Sequence, residues 1–418
     1  MYQTNYILEM HILIILFCLI VKTGAVLEKT ATPPMGYSTW NTYGMMVNES
    51  IVLQIAQAMV RLDLPKLGYQ YLIVDEPCFL GRDSNGVLLA DPVRFPNGMF
   101  MLASYLHSLG LKFGLYTDAG PTTCGGCIGS YGYEYLDMLT FAIWGVDYVK
   151  VDYCSSTDTY TASTYLKFRD AIMSTNRSMV LSIISWGLDS PWLWGRNVGN
   201  SWRIAFDIRP EWQSILSILD QSVGLEKYSG PGGWNDLDML EVGNTPLTFG
   251  ESQSHFVLWS ILNSPLLLGN DLDQMSSEIT SLIKNREIIA LNQDILGIQA
   301  KMIVSDVWAK FLSDGSLVIA FLNRGSEWLN VTIYWNQCYV LDPIRQQRYG
   351  QHYSAGIYSK ILASHNIIVL RFWCQDFHFI LDNIYPVSNN SLGPFNPPLI
   401  SAATYISPII VFLPFLLF

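Results

Sequence analysis

Short apolar runs recur along most of this chain, with segments of helical spacing between them. The runs cover residues 71–74 (YLIV), 112–116 (KFGLY), 148–151 (YVKV), 180–184 (VLSII), 203–206 (RIAF) and 265–268 (PLLL). Most are continuous rather than alternating, as expected of strands covered on both faces of a parallel sheet. The pieces at 100–109 and 133–144 carry apolar residues at helical intervals. Strand–helix alternation over this length predicts an α/β fold, a (β/α)8 barrel of the usual size of about 250 residues. A doubly wound open sheet is the rival, but no glycine-rich nucleotide loop follows the first run. Polar residues sit just beyond the runs: Asp75 and Glu76, Asp118, Asp152, Ser185 and Trp186, and Asp207. A lone Asp there reads as a helix N-cap, whereas a repeated register reads as the active face of a barrel.

The texture changes near residue 300. Residues 303–335 alternate strands with turn signals at Ser313-Asp314-Gly315 and Asn323-Arg324-Gly325, which predicts a small antiparallel β-sandwich. The expected organisation is a barrel at 26–299, a β domain at 300–374 and a linker at 375–398.

Only 14% of the 418 residues are charged, against about 25% in an ordinary soluble domain. Part of the deficit lies at the ends. Residues 1–25 read as a secretory signal peptide, with Thr23-Gly24-Ala25 before the cut. Residues 399–418 form an apolar tail behind a small-residue site at Asn389-Asn390-Ser391, the order of a glycosylphosphatidylinositol-anchor signal. The rival, a single membrane span, is weakened by Pro408 and Pro414 and by the lack of Lys or Arg after it. The abundance of aromatic and branched residues excludes disorder. A net charge of −11 without a basic run argues against nucleic-acid partners. Export predicts glycans at the sequons of Asn48, Asn176, Asn330 and Asn389, and oxidised cysteines. Setting aside Cys18 leaves six, enough for three bridges in fifteen pairings.

Paired carboxylates at strand ends suit glycoside hydrolysis, in which one attacks the anomeric carbon and the other protonates the leaving oxygen. Asp152 and Asp207 are the best pair. Lys150, two residues before Asp152, shares its strand face and is expected to keep it ionised. Arg203, four residues before Asp207, shares that residue's strand face. Trp40, Tyr116 and Trp186 are candidate platforms for the apolar face of a sugar.

The strings TPPMGYSTWNTYG (32–44), RDSNGVLLADPVRFPNGM (82–99), GLKFGLYTDAGPTTC (110–124), FAIWGVDYVKVDYC (141–154), GPGGWNDLDMLEVGN (230–244) and LNQDILG (291–297) resemble the glycoside hydrolase family of α-galactosidases and α-N-acetylgalactosaminidases. That resemblance implies a barrel followed by an antiparallel domain, and a retaining mechanism without metal or cofactor. It implies Asp152 as nucleophile and Asp207 as general acid/base. Trp40, Asp75, Glu76, Tyr116, Cys124, Lys150, Ser185, Trp186 and Arg203 would line the sugar pocket. The substrate would be an α-galactoside, a Cys124–Cys154 bridge is implied, and a homodimer is suggested by the resemblance alone.

Three positions depart from the family pattern. Glu76 stands where an Asp is usual, which resembles the β-L-arabinopyranosidases. Ser185 stands where galactose-specific members often have Glu, which resembles the α-N-acetylgalactosaminidases, whereas Leu188 is bulkier than the alanine those enzymes use. Met45-Met46 replace a cysteine that usually bridges to the second strand's loop. Cys78 is therefore expected to pair with the extra Cys127, leaving Cys338 and Cys374 to pair by elimination. A reading of another class, a silent surface lectin, does not explain why a proton donor at Asp207 accompanies Asp152.

Overall fold

The computed structural model describes residues 27, 30–156, 158, 160–374, 379–386 and 409–410. The signal peptide, the anchor signal and most of the linker therefore lie outside the described residues. Among those described, no helix is long and apolar enough to cross a membrane.

The barrel strands are β1 (Met35–Ser38), β2 (Tyr71–Val74), β3 (Lys112–Asp118), β4 (Tyr148–Asp152), β5 (Val180–Ile183), β6 (Ser201–Arg203), β7 (Trp234–Asp236) and β8 (Leu266–Leu268). Between them run α1 (Glu49–Arg61), α2 (Gly98–Ser108), α3 (Glu134–Trp144), α4 (Thr161–Ser174), α5 (Trp212–Gln221) and α6 (Phe249–Ile261), followed by α7 (Ser277–Ile283) and α8 (Arg286–Asn292). The sheet order is β8-β1-β2-β3-β4-β5-β6-β7, so each strand from β1 to β7 lies beside its sequence neighbour and the last strand, β8, lies beside the first. β8 pairs in parallel with β1, Met35 opposite Leu266, and Leu240 beyond β7 bridges to Leu268. This is the topology of a (β/α)8 barrel.

By compactness the chain divides into two units. One holds Tyr43–Gln57 and Gln70–Trp202; the other holds Thr30–Thr42, Ala58–Tyr69 and the chain from Arg203 onward. In the first, β2, β3, β4 and β5 pair in parallel and are almost wholly buried, Leu72, Phe113, Val149 and Leu181 being inaccessible. Burial of each such side chain stabilises by roughly 1.5–3 kcal/mol. α3 stops at Gly145, whose φ of 86° suits a helix C-cap.

In the second unit α6 opens with a complete capping box, Thr248 exchanging hydrogen bonds with Glu251. The C-terminal part is antiparallel: β9 (Lys301–Val304), β10 (Val307–Phe311), β11 (Leu317–Leu322), β12 (Leu329–Asp342), β13 (Gln347–Leu362), β14 (Ile367–Cys374) and β15 (Phe379–Pro386), in the order β9-β10-β11-β14-β12-β15 with β13 also on β12. Its core gathers Val307, Ile319, Phe321, Ile333, Leu370 and Phe372, as a β-sandwich does. β10 reaches the barrel helices through a buried lysine: Lys310 Nζ donates to Asn263 Oδ1 and to the Leu291 carbonyl. Cys338 and Cys374 are cross-strand partners and form a disulfide.

One boundary needs correction. Residues 379–386, assigned to the linker, form β15, with Leu381 opposite Ile333 of β12. The β-forming run Phe379-Ile380-Leu381 outweighs the charge-poor, proline-ended context that suggested a linker.

Candidate active site

In the first unit the ends of β2, β3 and β4 bring Asp75, Glu76, Tyr116, Cys124, Lys150 and Asp152 together. Asp152 is the last residue of β4 and only 7% exposed. Its Oδ1 accepts from the Tyr153 amide at 3.0 Å and its Oδ2 from the Tyr116 hydroxyl at 3.3 Å. Burial, and then the negative charge of Asp152, pushes the Tyr116 phenol far above its ordinary range, so it stays protonated and donates. The same hydroxyl lies 3.2 Å from Cys124 Sγ, and Cys124 is bridged to Cys154, two residues past Asp152. The loop beyond β3 is thus tied covalently to the strand that carries Asp152.

Lys150 makes a contact that its place on the strand does not announce. Its Nζ pairs with Asp75 Oδ2 at 2.7 Å, both side chains being nearly buried. Lys150 is the register partner of Tyr116, and its ammonium lies 5.3 Å from that ring's centroid. The stem is long enough to run along β3 and bring the charge to the end of β2.

Glu76 is fully enclosed. Thr123 Oγ1 donates to its Oε1, and the Gly125 amide approaches Oε2 at 3.4 Å. Burial, reinforced by neighbouring Asp75, holds its carboxyl above the usual range. Glu76, one methylene longer than Asp, reaches this loop, and both Glu76 and Cys78 take positive φ, 46° and 48°. A side chain at Gly125 would meet Met45 Sδ at 2.8 Å and Glu76 Cδ at 3.1 Å, so that position has no room for one. Cys78 and Cys127 are bridged as expected, with Cα atoms 5.2 Å apart. With both pairs oxidised, the carboxylate–cysteine clusters around Asp118 and Glu76 offer no thiolate to a metal.

Asp118, noted in the sequence only as a strand end, is a loop organiser. It accepts from the Gly120 amide at 2.6 Å and the Cys154 amide at 2.8 Å, and burial raises its pKa. Ser185 is fully buried past β5, and its Oγ has no hydrogen-bond partner among the described residues. Trp186, half-buried, takes a φ of 51°.

In the second unit Arg203 ends β6 with its side chain 4% exposed, while Asp207 is 69% exposed. Arg203 Nη1 donates to Asp207 Oδ1 at 2.9 Å and to Asp238 Oδ2 at 2.7 Å, with Asp236 Oδ1 4.0 Å from Nε. Asp238 also accepts from the Ile208 amide at 2.8 Å, which pins the segment carrying Asp207. Trp40 begins a single helical turn directly after β1 and is 37% exposed.

Asp236 and Asp238, the carboxylates beside Arg203, are candidates that sequence reasoning missed. They stand in the string GPGGWNDLDMLEVGN, but β7 is three residues long and lacks the apolar run that marks a strand end. The φ of 80° at Asp238 joins those at Glu76, Cys78 and Trp186 as backbone strain concentrated just beyond strands, where active sites keep it.

A family profile described as alpha galactosidase A matches residues 32–294. The chain is 44% identical over 329 residues to alpha-galactosidase A of Cellvibrio japonicus, covering 75% of this chain and 81% of that protein. Alpha-galactosidase I of Mortierella vinacea superposes with a TM-score of 0.79 at 33% identity, covering 82% of this chain and 98% of that one. The alpha-galactosidase of Saccharomyces cerevisiae solved with raffinose superposes with a TM-score of 0.75 at 29% identity and the same coverage. A (β/α)8 barrel with carboxylates at its strand ends fits a hydrolase of glycosides, and these matches place the chain in the alpha galactosidase A family.

Proposed function

We propose that the protein removes terminal non-reducing α-galactosyl residues by double displacement, with Asp152 as nucleophile and Asp207 as general acid/base. The observation that carries this is the setting of Asp152: a buried carboxylate steadied by the neutral Tyr116 hydroxyl on a disulfide-tied loop. Asp152 attacks the anomeric carbon as Asp207 gives its proton to the departing glycosidic oxygen. Asp207 then takes a proton from water, whose oxygen displaces Asp152 and leaves galactose with its original anomeric configuration. Arg203 orients Asp207, and Lys150 with Asp75 offers charged groups to sugar hydroxyls. Trp40 and Trp186 are the proposed stacking surfaces.

Galactose is the sugar this reading favours, since the similar proteins are named alpha-galactosidases and Thr123 and Gly125 bind the Glu76 carboxyl. Hydrolysis of p-nitrophenyl α-galactoside, α-N-acetylgalactosaminide and β-L-arabinopyranoside tests the reading. The galactoside should be the best substrate, and no turnover of any of the three would overturn the function. The disulfides within the described residues support export to an oxidising compartment. We place the protein at the cell surface on a lipid anchor, which release by a phosphatidylinositol-specific phospholipase checks.

A further inference from the structure

Away from the strand ends, the first unit carries a surface cavity of about 460 Å³, lined in part by Met46, Asn48, Ser50, Leu53, Val93 and Arg94. Its walls are the first turn of α1 and the segment 93–96, and hydrogen bonds fasten them together. The Glu49 amide donates to the Arg94 carbonyl at 2.9 Å. The Glu49 carboxylate accepts from the Asn97 amide at 3.0 Å and from Asn97 Nδ2 at 2.5 Å. Arg94 Nη1 donates to the Pro77 carbonyl at 3.2 Å, and its Nη2 donates to that of Met45. Asp91 Oδ1 accepts from the Val93 and Arg94 amides at 2.8 and 3.3 Å, which fixes the turn presenting Val93. The cavity is thus preformed. Two large apolar side chains on it face water, Met46 at 76% and Val93 at 88% exposure. One such side chain alone is ordinary, but two beside a preformed cavity suit a ligand with an apolar face.

The sequence places a glycan acceptor at the same spot. Asn48-Glu49-Ser50 is a sequon, and Asn48 itself lines the cavity. Asn48 also caps α1, its Oδ1 accepting from the Ile51 amide at 3.1 Å. A glycan attaches through Nδ2, so the cap and the modification use different atoms. Asn330 is placed differently, within β12, with register partners on both sides at Ile361 and Tyr385. The cavity falls in the range of about 300–1,000 Å³ that holds small ligands, which suits the first sugars of a glycan. The apolar face of a pyranose matches Met46 and Val93, while Ser50 and Arg94 supply polar groups for its hydroxyls and acetamide.

We propose that Asn48 carries an N-linked glycan whose first N-acetylglucosamine occupies this cavity and covers Met46 and Val93. The donor is an oligosaccharide on a lipid diphosphate. Its C1–O bond to phosphate breaks, the bond from C1 to Asn48 Nδ2 forms, Nδ2 gives up one proton, and the lipid diphosphate departs. This rests on the proposed export of the chain.

The test secretes the full chain from a eukaryotic cell and maps its tryptic peptides by mass. One peptide, 30–61, holds both Asn48 and Met46, so modification and oxidation are read on the same molecule. Asn48 should be glycosylated in most copies. Under dilute peroxide, Met46 should oxidise about fivefold more slowly in glycosylated copies than in bare ones. Trimming the glycan to its first sugar should leave that protection intact. The bare reference is Ser50→Ala, which removes the acceptor but keeps the Asn48 cap. If that variant fails to fold, enzymatic removal of the glycan from folded wild type supplies it. A secreted chain bare at Asn48 would overturn this inference alone. So would a glycosylated Asn48 with Met46 oxidised at equal rates in both forms, because the sugar would then lie outside the cavity. A chain retained inside the cell with an uncut signal would overturn the export reading and this inference together.

Discussion

The two carboxylates assigned to the chemistry live in opposite surroundings. Asp152 is 7% exposed, at the end of a fully paired strand, between a neutral phenol and a covalently tied loop. Asp207 has a side chain 69% exposed, four residues past the strand residue Arg203 that holds it. A nucleophile needs a fixed position at the anomeric carbon, which a rigid strand end and a disulfide supply. A proton shuttle needs access to the leaving group and to incoming water, which an exposed side chain supplies. The contrast fits the two proposed roles, one carboxylate held still and one held open.

Several substitutions would break or sharpen that comparison. The largest effect is expected at Asp152, where Asp152→Asn should lower kcat by more than about 10³-fold on every leaving group, because no covalent intermediate can form. Asp207→Asn should discriminate. On raffinose, whose leaving oxygen needs a proton, the loss should exceed about 10³-fold, and on p-nitrophenyl α-galactoside the glycosylation step should lose only about tenfold. Equal losses on both substrates would remove the acid assignment. Tyr116→Phe should cost about tenfold in kcat by deleting the hydroxyl beside Asp152 Oδ2. A variant with full activity would show that the bond does not steady the nucleophile. The smallest effect is expected at Glu76→Asp: a few-fold change in the galactoside to arabinopyranoside ratio. A change beyond about 100-fold would mean that Glu76 projects into the sugar site rather than onto Thr123 and Gly125.

The barrel was legible because strands such as 71–74 and 148–151 are long enough to appear as continuous apolar runs. β1 and β7 were not, because MGYS and WND are not continuous apolar runs and sit among Gly, Pro and Asn. That is why Asp236 and Asp238 escaped while Asp118 and Asp152 did not. The cysteine pairings followed from motif resemblance and from Met45-Met46 displacing a usual partner, and the bridges agree. The Lys150–Asp75 pair was not legible, since strand alternation gives the face but not how far a four-carbon stem reaches. The approach of the turn after β1 to the loop after β7 could not be read either, because Asn41 and Met239, which both flank Gly269, are some 200 residues apart in sequence.

The most direct test of the nucleophile is to trap the intermediate. Incubation with a slowly turned-over 5-fluoro-galactosyl fluoride, followed by peptide mass mapping, should place one covalent sugar on Asp152, within the segment 148–154. An adduct on another carboxylate, or rapid turnover that releases inverted sugar and leaves no adduct, would contradict the assignment.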